Sequence, residues 1–145
     1  MRDKSTLGCS QLDRLEEIIT KRNQVAQQYN QKLQEIEEVE IPYIADFVTR
    51  LSWFVYVIRL KKGVARDQVM QYLNQEGIQC KPYFTPIHLQ PFYKDMFGFK
   101  EGDFPITEDV SSRTIALPFF NNLKEEQIDY VVKKLKEGIK LVVSE

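Results

Sequence analysis

The residues of this chain best suited to binding chemistry lie within Cys80–Tyr93, read C-K-P-Y-F-T-P-I-H-L-Q-P-F-Y, which holds the only histidine, His88. Imidazole is the side chain whose ordinary titration falls near neutral pH, and it can donate or accept a hydrogen bond. Tyr83 and Gln90 flank it with a phenol and an amide, each both donor and acceptor. Pro82, Pro86 and Pro91 each remove a backbone donor and push the preceding residue toward extended geometry, so neither a continuous helix nor a central strand runs through. An ordered, shaped loop is therefore expected, a setting in which binding residues concentrate. Against this, a lone histidine between Ile87 and Leu89 is more often a satisfied core or turn residue than a catalytic one. Tyr83 and Gln90 could equally anchor the loop to its own backbone.

The elements that must position this loop are read from periodicity. Leu12, Leu15, Ile19, Ala26, Tyr29, Leu33 and Ile36 recur at three- and four-residue steps, which predicts one long helix over 7–37. Val39–Ile44, with Pro42, reads as an edge strand or connector. Ser52–Leu60 reads as the central strand, nine residues apolar on both faces, with Trp53, Val55 and Val57 on one and Phe54, Tyr56, Ile58 and Leu60 on the other. A helix is predicted over Ala65–Glu76, closed by Gly77 at a left-handed cap. Ile78–Phe84 is expected to lead as a strand into the loop, and Leu89–Phe97 to form a short helix broken by Pro91. A further short helix is predicted near Thr107–Ser112, a strand over Thr114–Leu117 ended by Pro118, and a last helix from Asn122, capped by that residue with Glu125. Phe119-Phe120 reads as a core pair before that cap, and Phe84, Phe92 and Tyr93 as packing residues. The expected fold is α/β (α+β), a small, mostly antiparallel sheet of three to four strands with helices packed on it, preceded by a long N-terminal helix.

Composition narrows the function classes. With 145 residues, 43% of them hydrophobic and 28% charged, the chain fits one domain with its own core, and no apolar run reaches the length of a membrane span. The N-terminal residues lack the apolar centre of a signal peptide, so a cytoplasmic protein is expected. Twenty basic against twenty-one acidic residues give a net charge of −1 and no field that would draw nucleic acid or an anionic membrane. Cys9 and Cys80 stand apart, without metal-ligand spacing, and both are expected to be reduced and mostly packed. No metal site is expected. Arg113 is a conceivable carboxylate partner but equally suits a solvated helix end, and Lys81 reads as a solvated side chain.

Several ordered motifs together carry a resemblance. Y-F-x-P-I-H-L-Q-P-F-Y resembles the small-domain active-site loop of the pyridoxal phosphate (PLP)-dependent sugar aminotransferases of the DegT/DnrJ/EryC1/StrS family. Leu7–Ile18 with Lys21, Arg22 and Tyr29 is similar to the family's helix leaving its large domain, Ser52-Trp53 to its S-W strand entry, and Gly77-Ile78 to its G-I turn. Leu117-Pro118-Phe119-Phe120 with Glu125-Glu126-Gln127-Ile128 is similar to its closing signature. The resemblance spans essentially the whole chain.

It implies the C-terminal small domain of such an enzyme, of fold type I, with 1–37 as an interdomain helix, 38–145 as an α/β sandwich, and the large PLP-binding domain absent. The full protein would move an amino group from glutamate to a nucleotide-linked keto-sugar in polysaccharide, cell-surface or antibiotic sugar biosynthesis, as a homodimer. Tyr83, His88 and Gln90 would meet the sugar substrate. The thirteen lysines sit in charged or turn contexts, such as Lys61-Lys62-Gly63 and Lys133-Lys134, unsuited to the low pKa of a Schiff-base lysine. No catalytic or cofactor-binding residue is therefore expected here, and the chain alone should be inactive without bound PLP. A stand-alone ligand-binding or regulatory module keeping the same fold is the rival reading. The three prolines are further expected to hold the loop without help from a partly exposed His88.

Overall fold

The computed structural model describes the backbone of residues 2–144 and side chains from residue 6 onward. Four short strands form one antiparallel sheet in the order β1-β2-β4-β3: β1 Val39–Glu40, β2 Tyr56–Leu60, β4 Thr114–Leu117 and β3 Lys81–Pro82. Tyr56 pairs with Leu117, Ile58 with Ile115, Val39 with Leu60, and Lys81 with Ala116. This register turns Tyr56, Ile58, Leu60, Ile115 and Leu117 into the core. Helices α2 (Leu15–Leu33), α3 (Arg66–Gln75) and α6 (Glu125–Val143) bury Val25, Tyr29, Leu33, Val69, Leu73, Ile128, Leu135 and Ile139 in the same cluster. The α/β architecture expected from the element order is therefore the one found. At Gly138, a Cβ would lie 2.7 Å from Cδ1 of Tyr72, so this glycine lets α6 approach α3 closely.

The first helix differs from the expected single rod. Helix α1 (Arg2–Asp13) and α2 are divided at Arg14, whose φ of −101° and ψ of 5° leave the helix and whose N–H bonds Gln11 O. The apolar repeat that gains burial belongs to α2, whereas Leu7 and Leu12 of α1 are exposed. Core contact therefore holds the helical phase only after the break. Helix α2 also ends at Leu33, short of residue 37.

Strand β2 is likewise shorter than its apolar run. Trp53 has φ 48°, which interrupts the alternation ahead of the strand. Phe54 is thrown into solvent, while Trp53 joins Tyr56, so the predicted faces are wrong for these two residues. The result is an aromatic stack, with Tyr29 and Tyr56 at 4.8 Å and Tyr56 and Phe119 at 6.0 Å between centroids. Tyr29 donates to Pro118 O at 2.9 Å and Tyr56 to Asn30 Oδ1 at 2.6 Å, satisfying both phenols; burial pushes both well above their ordinary pKa.

Smaller differences follow from proline and capping chemistry. Pro91 starts α4 (Pro91–Phe97) at its first turn instead of breaking it, and Pro105 starts α5 (Pro105–Arg113). Helix α6 begins at Glu125, where the Lys124 N–H donates to Gln127 Oε1 at 3.0 Å, so Asn122 is not its cap. Asn121 instead accepts from Arg22 Nε at 3.1 Å. Phe120 is exposed, and only Phe119 of that pair joins the stack. Cys80 is buried as expected, whereas Cys9 is exposed.

Candidate functional site

The proline-rich segment is an ordered loop carrying one 3-10 turn, Ile87–Leu89, followed directly by α4. It is moored to the sheet through backbone atoms. Thr114 Oγ1 of β4 donates to Tyr83 O at 2.8 Å, and Arg66 Nη1 donates to Thr114 O at 3.1 Å and Ser111 O at 3.3 Å. Arg113 Nη1 donates to Leu60 O at 2.8 Å while its fork grips Asp109, whose carboxyl is held below its ordinary pKa by that guanidinium. Arg113 is thus committed to structure, neither a solvated helix end nor an open carboxylate receptor.

His88 is buried, at 7% exposure, which corrects the expectation of a partly exposed ring. Its Nε2 lies 2.9 Å from Glu108 Oε1 in α5. Edge-on contacts to Phe104 at 4.8 Å and Phe99 at 6.4 Å complete its surroundings. Those rings continue a string through Phe97, Tyr93 and Phe92, each pair at 5.4–6.0 Å. The Glu108 carboxylate also accepts from Gly102 N–H at 3.0 Å and Phe104 N–H at 3.3 Å. These donors and His88 keep its carboxyl below the ordinary carboxylate pKa, Gly102 contributing most. The imidazole therefore ties the loop to the start of α5, a task the prolines do not perform alone.

The three candidate residues do not converge on one cavity. Tyr83, stacked on Phe84 at 4.4 Å, lines an open apolar cleft of about 410 Å³ with Pro86, Ile87, Ile106 and Val110. Thr85, Thr107 and Ser111 also line it, the Ser111 hydroxyl donating to Glu108 O at 3.0 Å. Phe84 is 65% exposed, so it is not the packing residue its type suggested. His88, next in sequence to Ile87, does not line this cleft, and Gln90 is exposed at the cap of α4. Lys81 is exposed, as read from sequence. Glu108 escaped the sequence reading because it lies 20 positions from His88. An acid in the first turn of a helix opened by a proline, Pro105-Ile106-Thr107-Glu108, was the available signal.

Comparison with known proteins identifies this framework. Residues 3–136 match the model of the DegT/DnrJ/EryC1/StrS aminotransferase family. The chain belongs to that family. It is 30% identical over 141 residues to the spore coat polysaccharide biosynthesis protein SpsC of Bacillus subtilis, covering 94% of this chain and 36% of SpsC. GDP-perosamine synthase of Caulobacter vibrioides is 31% identical over 137 residues, 92% of this chain but 36% of that protein. Among solved structures, the aminotransferase TlmJ from Streptoalloteichus hindustanus superposes with a TM-score of 0.79 at 26% identity, over 92% of this chain and 35% of TlmJ. The chain spans about a third of the length of these relatives.

Membership raises the question of PLP, and the described lysines of this chain do not fit it. A Schiff-base lysine needs an amine desolvated enough to lose its proton near neutral pH. Among the described side chains every lysine is exposed or ion-paired: Lys21 with Glu17, Lys32 with Glu125 and Asp129, Lys134 with Glu76 and Glu137. Lys32 and Lys134 are shifted upward, by Asp129 and Glu76 respectively before their other partners, which is the wrong direction for a nucleophile. Within the described residues no group of three metal-ligating side chains occurs, and no helix is long and apolar enough to cross a membrane.

Proposed function

We propose that this chain serves as the C-terminal small domain of a PLP-dependent aminotransferase acting on a nucleotide-linked keto-sugar, with glutamate as amino donor. The observation that carries this reading is the family match along residues 3–136 in a chain whose described lysines cannot hold the cofactor. The lysine, and the PLP it binds, would belong to a larger part of the same cytoplasmic, homodimeric protein. PLP there supplies the electron sink for amino transfer. The part played by this chain is to close one side of the site, exclude water and orient the sugar.

Within that role the Cys80–Tyr93 loop faces substrate. Tyr83 lines the apolar cleft, Gln90 offers an exposed amide, and His88 a ring held by Glu108. The test is to mix the chain with PLP and glutamate, reduce with borohydride and map labelled peptides. The expected result is no stoichiometrically labelled lysine and no turnover. A single fully labelled lysine with transamination of glutamate would overturn the division of labour.

A further inference from the structure

Glu108 is an acceptor-only partner of a histidine with two different ring nitrogens. Its Oε1 takes His88 Nε2 at 2.9 Å, Gly102 N–H at 3.0 Å and Phe104 N–H at 3.3 Å, and its Oε2 takes Gly102 N–H at 3.0 Å. Two backbone donors aimed at one carboxyl favour its ionised form, and an ionised carboxylate can only accept. Nε2 must then carry the proton. In the neutral ring Nδ1 is left with a lone pair.

Among the described residues no hydrogen bond engages Nδ1. Yet among the described residues no fully buried side-chain nitrogen or oxygen lacks a partner. Nδ1 is therefore not fully buried, although the residue as a whole is only 7% exposed. Phe104 and Phe99, edge-on to the ring, restrict its rotation.

We propose that Glu108 is a positioning residue that fixes the His88 ring with a proton on Nε2, so that Nδ1 is the nitrogen left for an outside partner, a hydrogen-bond acceptor whenever the ring is neutral. With the ring neutral, the chemistry such an atom takes is a donor group, a hydroxyl of a sugar being the fitting class, and not the oxygens of a phosphate. The identification of that hydroxyl with the substrate rests on the aminotransferase reading. The ring geometry does not.

Because His88 is the only histidine, its ring nitrogens and protons are unambiguous in nitrogen-correlated NMR of the 145-residue chain. Wild type at pH above neutrality should show one protected imidazole N–H, on Nε2. Glu108→Ala should speed its exchange by roughly tenfold or more, as expected for loss of a charge-assisted hydrogen bond. Glu108→Gln, which keeps an oxygen acceptor, should restore most of the protection. The fluorescence of Trp53, remote in the aromatic core, verifies that each variant is folded. A proton on Nδ1 in wild type, or unchanged exchange in a folded Glu108→Ala, overturns the proposal. The same variant placed in an active enzyme separates the two readings. An NMR effect with unaltered sugar kinetics would leave the positioning intact and sink the substrate role of His88.

Discussion

The two halves of the structure are held by different physics. The sheet with α2, α3 and α6 encloses a continuous apolar cluster running from Val25 to Ile139, with Tyr29, Leu33, Tyr56, Ile58, Leu60, Leu73 and Ile128 wholly inaccessible. Between Tyr83 and Arg113, by contrast, the single buried residue is His88, and neither α4 nor α5 buries any side chain. That region coheres through a polar knot at Glu108, a string of aromatic edges and the mooring by Thr114, Arg66 and Arg113. A layer stabilised by burial is insensitive to any one surface contact. A unit stabilised by a few directional bonds can hold side chains in fixed orientation while remaining easier to open locally.

The largest effect expected from breaking this contrast is in the core. Leu73→Ala, at a position with 0% exposure, should cost about 2–5 kcal/mol of global stability in denaturant unfolding. His88→Ala should cost less, roughly 1–3 kcal/mol, because it leaves the Glu108 carboxylate short of a partner and removes a ring packed against Phe104. Its signature should be local. Hydrogen exchange should accelerate at Gly102 and Phe104 while core amides such as Leu73 stay protected.

A smaller, graded effect follows from acid. The Glu108 carboxyl is held below its ordinary value of 4.5, so its contribution is fully present above that value and is lost as pH falls through the lower folded value. Amide protection at Gly102 should therefore fade on acidification below about pH 4.5, before the core unfolds. Simultaneous loss of both regions in one transition would show that they are not the separate units described.

Much of the core half was legible in sequence. Thr114–Leu117 was bounded correctly because an apolar run meets Pro118, and Gly77 closes α3 with φ 76° as its position suggested. The entry to β2 was not legible, since alternation continues smoothly through Trp53 and nothing local reveals its φ of 48°. In the loop half, proline spacing announced an ordered irregular segment and the single histidine marked its centre. The burial of that histidine was hidden, because its partner lies in another helix and three of its enclosing contacts, Phe99, Phe104 and Glu108, are set by tertiary approach. Exposed Phe84 shows the converse: residue type alone suggested packing, and the cleft beside it was invisible to periodicity.

The most direct measurement is amino transfer by a chimera of the Caulobacter GDP-perosamine synthase in which the matching third is replaced by this chain. The account predicts a folded, PLP-loaded protein that forms GDP-perosamine. His88→Ala in the graft should lower kcat/KM for the sugar by roughly tenfold or more, about 1.4 kcal/mol, with PLP binding retained. A folded, PLP-loaded chimera that transfers no amino group, or one whose sugar kinetics ignore His88→Ala, would contradict it.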